Sequence, residues 1–108
     1  MMTGFARRRE TFESKFAHDE ALRFKAIARR NKLLGLWAAA RLGKTGAEAE
    51  AYASAVVSVD FDEPGDGDVI RKVVGDLRAA GVPGDADEVR RVLHELLVVA
   101  TGEVNAGM

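Results

Sequence analysis

The central stretch of the chain, residues 24–42, reads FKAIARRNKLLGLWAAARL. Its apolar residues recur at steps of three and four, which is the spacing of one face of an α-helix. From Leu33 onward, apolar residues also occupy the other faces, and Leu36 and Trp37 point away from the first stripe. A helix that is apolar nearly all round is buried nearly all round. The stretch therefore predicts a long first helix over residues 12–42. The second half of this helix is expected to lie at the centre of the domain, with Trp37 in the core. The first stripe itself comprises Phe24, Ile27, Ala28, Leu34, Ala38 and Leu42.

Stop and start signals divide the remaining sequence into further helices. Gly43 and Gly81 are of the residue type that most readily takes the left-handed conformation at the end of a helix. Residues 45–48 and 85–88 each place a threonine or an aspartate three positions before a glutamate, which is the pattern of an N-terminal capping box. The second helix is therefore predicted over about residues 46–59, and the last helix opens at the second of these boxes.

Two amphipathic stripes follow an acidic loop at residues 60–68, in which Asp66 or Asp68 can cap the next helix. The stripes comprise Val69, Ile70, Val73, Val74, Leu77 and Ala80, and then Val89, Val92, Leu93, Leu96, Val99 and Ala100. Four amphipathic helices with short connections predict an all-α four-helix bundle. We place the bundle at residues 19–103 and a frayed C-terminus at 104–108.

A charged segment with three phenylalanines precedes the bundle, and we refer to residues 1–18 as the N-terminal arm. Phe5, Phe12 and Phe16 are spaced by seven and four residues, so in a helix they would share one narrow stripe. Few other apolar residues support that stripe, and a short free helix of this kind is marginal in water. We therefore predict an arm that is flexible when free and helical when bound to a partner. The alternative is that the stripe extends the first helix and packs on the bundle.

Composition narrows the possible functions of this 108-residue chain. Residues 1–32 carry nine basic and four acidic side chains, whereas residues 33–108 carry seven basic and thirteen acidic ones. A basic segment on an acidic body suggests an acidic partner, but the overall pI of about 6.1 argues against a nucleic-acid module. The chain contains no cysteine, which excludes disulfides and thiolate chemistry. No apolar run is long enough to cross a bilayer, so we expect a cytosolic protein.

The motifs that could carry chemistry do not complete a known site. Residues 43–45 read Gly-Lys-Thr, but a phosphate-binding loop needs a glycine where Ala38 stands, and it must follow a strand. The acidic loop does not match the ligand spacing of a calcium-binding EF-hand. His18 and His94 have no partner at metal-ligand spacing, and we expect His94 to be exposed. We predict no metal site and no catalytic activity.

Three strings of residues resemble the zeta subunit family of alphaproteobacterial F-type ATP synthases. Residues 15–26 read KFAHDEALRFKA, residues 28–35 read ARRNKLLG, and residues 60–66 read DFDEPGD. The resemblance covers roughly residues 5–100, and the first two strings are long enough to be specific.

The resemblance implies a four-helix bundle that inhibits the rotary ATPase and is not itself an enzyme. It implies an arm that becomes helical between catalytic head subunits of the F-type ATP synthase, next to the central shaft, and blocks rotation in the direction of hydrolysis. We expect a monomer when free, which inserts into no membrane and sits at the cytoplasmic face of the inner membrane when bound to the synthase. On this sequence the partner-binding residues would be Phe5, Arg8, Arg9, Phe12, Lys15 and Phe16.

The arm departs from the family pattern, and a second ligand is implied. Three arginines, Arg7–Arg9, follow Phe5 where family members usually carry acidic residues, so we expect weak inhibition. We expect no cofactor, although the resemblance also implies weak binding of ATP or ADP. The phosphate contacts would be Arg29, Arg30 and Lys32. The alternative functions are an adenine-nucleotide-binding sensor and a nucleic-acid-binding module.

Overall fold

The computed structural model of the chain describes residues 2–59 and 65–107, with side chains from residue 19 onward. It contains four helices and, within the described residues, no strand: α1 is Met2–Arg41, α2 is Gly46–Val59, α3 is Gly67–Ala79 and α4 is Ala86–Asn105. The all-α prediction is confirmed. The predicted change of the arm, from flexible when free to helical when bound, stays a prediction.

α1 is the central element of the bundle. Its most extensive packing is with α2 and with α4, whereas α3 makes smaller contacts with each of the other helices. Leu34 and Ala38 of α1 are fully buried. They belong to a core cluster with Val56 of α2, Val73 and Leu77 of α3, and Val89 and Leu93 of α4. The other helices therefore assemble around the second half of α1. Its burial is less complete than predicted, since Leu36 and Trp37 on its other faces are only partly buried and Trp37 lies at the edge of the core.

Three predicted helix boundaries are confirmed: two glycines follow the ends of α1 and α3, and one aspartate precedes the start of α4. Gly43 has a φ of 77° and Gly81 a φ of 70°, both in the left-handed region that glycine adopts without steric penalty. The amide of the residue after each donates to a carbonyl in the last turn of the helix, at 2.9 Å in both cases. At the start of α4, the Asp85 carboxylate accepts from the amide of Glu88 at 2.9 Å. Local signals therefore place these boundaries correctly.

The structure differs from the predicted pattern at both ends of the bundle. Phe24, assigned to the apolar stripe of α1, is 67% exposed, and Val99 of α4 is 48% exposed. The period of a sequence shows which residues share a face of a helix, but it does not show where the neighbouring helices end.

Two helices are longer than predicted. α1 begins at Met2 rather than at residue 12, and α4 continues to Asn105 into the segment predicted to fray. Val104 is buried there against the bundle, which explains the added length of α4.

Gly35 allows α1 and α2 to approach closely. A Cβ atom built at this position would lie 2.6 Å from the Cα atom of Ala53 and 3.1 Å from its Cβ atom. The obstacle is backbone rather than the end of a flexible side chain, so the helices would have to move apart. Glycine in the interior of α1 is therefore required by packing, although glycine disfavours a helix by about 1 kcal/mol relative to alanine.

We expect Gly35→Ala to lower the free energy of unfolding by about 1–3 kcal/mol, the usual cost of overpacking. The matched control is Gly75→Ala in α3, where an added Cβ has no atom within 4 Å. That substitution should raise stability by up to about 1 kcal/mol through helix propensity. Urea denaturation followed by circular dichroism measures both. Equal stability of the two variants would show that the α1–α2 contact is not tight.

Candidate functional site

The predicted partner-binding residues of the arm lie in the part of α1 whose side chains the structure does not describe. These residues are Phe5, Arg8, Arg9, Phe12, Lys15 and Phe16, and the bounds of α1, Met2–Arg41, include all six. Their contacts therefore stay a prediction. The structure does describe the place where α1 joins this segment to the bundle.

α1 leaves the bundle just before Ala26. Between Asp19 and Lys25 only Leu22 is partly buried, and Ala26, at 6% exposure, is the first described residue of α1 in the core. A groove of about 720 Å³ lies at this exit, between α1, the last turns of α4 and the start of α3. Leu22 and Ile27 line it from α1, and Leu97 and Val104 line it from α4. The arm thus begins beside an open, partly apolar surface of the bundle.

Arg30 lies buried at the edge of this groove, with 3% of its surface exposed. Its Nη2 donates to Oδ1 of Asp66 at 2.8 Å and to Oδ1 of Asn31 at 2.9 Å, and its Nε donates to the same Asn31 oxygen at 3.0 Å. Burying a guanidinium is costly unless charge and hydrogen bonds are matched. These contacts meet that requirement and connect α1 to the start of α3.

Asp66 occupies the N-cap position of α3, as the sequence allowed, but its side chain makes no capping hydrogen bond. Its carboxylate faces Arg30 instead. Asp68, the other predicted cap, pairs with Arg71 one turn along the helix. The acidic residues predicted to cap α3 therefore form ion pairs, and the bond from Asp66 joins two helices.

Arg29 and Lys32 are directed to other helices. Nε of Arg29 lies 2.5 Å from Oε2 of Glu103 in the last turns of α4. Nζ of Lys32 lies 3.6 Å from Oε2 of Glu50 in α2. With Arg30 turned to α3, the three predicted phosphate contacts engage carboxylates at three different places. The structure does not bring them together, and a nucleotide site at these residues stays a prediction.

One further polar contact, between Tyr52 and Asp76, connects two helices of the bundle. The Tyr52 hydroxyl donates to Oδ2 of Asp76 at 2.8 Å, joining α2 to α3. Burial, and then the hydrogen bond and the negative charge of Asp76, raise the pKa of Tyr52 above its usual range. His94 is exposed, as expected. Across residues 19–59 and 65–107, no cluster of three histidine or acidic side chains could hold a metal ion.

Sequence reasoning missed the two arginine–carboxylate bonds at the exit of α1. Asp66 lies 36 residues from Arg30, and Glu103 lies 74 residues from Arg29. A local pattern records only pairs three or four residues apart on one helix. The one available signal was the adjacent arginine pair, which the family resemblance assigned to phosphates instead.

The comparisons with known proteins agree with this architecture. A sequence model of the family described as ATPase inhibitor subunit zeta matches residues 2–103. No curated protein sequence matches the chain. A structure solved in solution by NMR is 48% identical in sequence and superposes with a TM-score of 0.71, over 81% of this chain and 99% of that one. Because the family match spans nearly the whole sequence, the chain belongs to the ATPase inhibitor subunit zeta family.

Proposed function

We propose that this protein is a regulatory subunit that binds the catalytic head of the F-type ATP synthase and inhibits ATP hydrolysis. Its N-terminal arm inserts between head subunits beside the central shaft. The observation that carries the proposal is the family membership of residues 2–103, which include the arm as well as the bundle. A regulatory role of this kind needs no active site in the inhibitor itself.

The length of α1 supports insertion of the arm. At a rise of about 1.5 Å per residue, a helix of 40 residues extends about 60 Å, whereas the 14 residues of α2 extend about 21 Å. α1 is therefore long enough to belong to the bundle at one end and to reach a partner at the other. A helix inserted between the central shaft and the surrounding head subunits opposes rotation.

In this proposal the folded bundle anchors the arm, and the arm makes the contact with the head subunits. Burial of its phenylalanines favours binding, and ordering of a free arm opposes it. The arginines at positions 7–9 are expected to tune the orientation and the salt dependence of binding, because salt screens interactions between exposed charges. Within the described part of the chain, every helix is too short or too polar to cross a membrane. We propose that the protein is a monomer when free and reaches the cytoplasmic face of the inner membrane through the synthase.

Deletion of residues 2–18 tests the proposed function. We expect the full chain to bind an alphaproteobacterial ATP synthase head and to slow its ATP hydrolysis, and the deleted chain to lose inhibition and most of its affinity. Binding and hydrolysis are measured separately, because Arg7–Arg9 are expected to weaken inhibition more than association. Circular dichroism of the deleted chain checks that the bundle remains folded. An armless bundle that inhibits as well as the full chain would exclude the arm mechanism.

A further inference from the structure

We propose that two ion pairs, Arg30–Asp66 and Arg29–Glu103, act together as a clamp that fixes the direction in which α1 leaves the bundle. The clamp thereby positions the N-terminal arm for its partner. This inference rests on the proposed function and extends it to residues of the bundle that lie outside the arm. All four are positioning residues, because they act through the orientation of α1.

The two pairs hold one turn of α1 from two sides. Arg29 and Arg30 are consecutive, yet Arg29 reaches the last turns of α4 and Arg30 reaches the start of α3. They lie three and four residues, about one helical turn, from Ala26, the first described core residue of α1. Toward the arm, the described residues of α1 are largely exposed. The clamp therefore lies near the end of the buried part of α1.

The chemistry of the pairs favours a fixed geometry. A guanidinium is planar and presents its donors in a rigid fork, so its bonds define a direction as well as a distance. Arg30 is buried, and its bonds to Asp66 and Asn31 hold it in one arrangement. Asp66 contributes to this bond in place of capping its own helix. Arg29 and Glu103 are about 30% and 26% exposed, so their pair is partly shielded from water.

A small tilt of α1 at the clamp produces a large displacement of the far end of the arm. When α1 is helical throughout, Phe5 lies 24 residues from Arg29 and therefore about 36 Å away. A tilt of about 10° at the clamp moves that end by about 6 Å, which exceeds the pitch of one helical turn. A partner that accepts the arm in one register would reject most of the directions that a released α1 could take.

The partly exposed pair gives the cleaner experiment, because its loss is not expected to unfold the bundle. We compare the wild type with Glu103→Arg, which places two like charges together, and with the exchange Arg29→Glu plus Glu103→Arg, which restores opposite charges. The matched control is Glu95→Arg, since Glu95 pairs with Arg91 at 3.0 Å on the exposed surface of α4 and carries the same charge. Each full-length variant is assayed for binding to the synthase head, inhibition, thermal unfolding and amide hydrogen exchange of residues 19–28.

We expect Glu103→Arg to remain folded and to exchange the amides of residues 19–28 faster. It should bind the synthase head and inhibit it about tenfold more weakly, as expected if α1 has the binding orientation in about one molecule in ten. The charge exchange should restore all three properties, and the Glu95→Arg control should match the wild type. A merely structural pair would change thermal unfolding without changing the affinity of the folded protein.

Wild-type binding by Glu103→Arg, or an exchanged pair that fails to restore it, would overturn the clamp. If the wild type itself did not bind the synthase, the proposed function would be wrong. Hydrogen exchange would still report separately whether the two pairs hold α1. Asp66→Asn, of nearly the same shape, provides a second test at the buried pair, with the same expected loss of affinity in the folded fraction.

Discussion

Replacing Phe12 and Phe16 with alanine together should weaken binding to the synthase head by two or more orders of magnitude. Burying one phenylalanine contributes about 1.5–3 kcal/mol, so the pair contributes about 3–6 kcal/mol if the two effects add. Each 1.4 kcal/mol corresponds to about a factor of ten in affinity. Titration of the head with full-length protein, followed by calorimetry or fluorescence anisotropy, measures the change.

Two exposed valines of α4 provide the matched control for the phenylalanine pair. Val98 is 75% exposed and Val99 is 48% exposed, so Val98→Ala with Val99→Ala also removes two apolar side chains from the surface. We expect that variant to bind like the wild type. If Phe12→Ala with Phe16→Ala bound equally well, the phenylalanines would not be the main source of binding energy, and the charges of the arm would have to supply it.

Trp37→Ala should lower the free energy of unfolding by about 3 kcal/mol, the lower end of the range for aromatic residues in a core, because Trp37 was predicted in the core but is only partly buried. Trp37 is partly buried and packs against the core cluster. The guanidinium of Arg41 lies over its ring, 4.3 Å from the centroid, and Arg41 also pairs with Glu88 at the start of α4. The substitution therefore removes apolar burial and the platform for a cation that joins α1 to α4.

Phe24→Ala is the control for this prediction, because Phe24 is an aromatic residue of the same helix that is 67% exposed. Its replacement should change stability by no more than about 0.5 kcal/mol, the usual effect at an exposed position. Thermal and urea unfolding measured by circular dichroism compare the two. A Trp37→Ala protein that melts like the wild type would show that the tryptophan does not contribute to the core.

Local sequence was sufficient for the four helices and most of the core. The glycines at 43 and 81 end helices because glycine alone takes a positive φ without strain, and this depends on one residue rather than on the fold. The buried stripes of α3 and α4 follow from their period of three and four residues. Membership of the zeta family was also indicated by strings of residues, and the family model confirms it over residues 2–103.

The junction of α1 with the rest of the bundle was decided by tertiary structure. The sequence placed Phe24 on an apolar stripe, yet the described helices leave it exposed. It also allowed Asp66 to cap α3, whereas the folded chain brings Arg30 to its carboxylate. A periodic pattern fixes the face of a helix on which a residue lies, but the partner of that face depends on where other helices end. Arg29 and Arg30 meet carboxylates 74 and 36 residues away, so only the assembled bundle determines their partners.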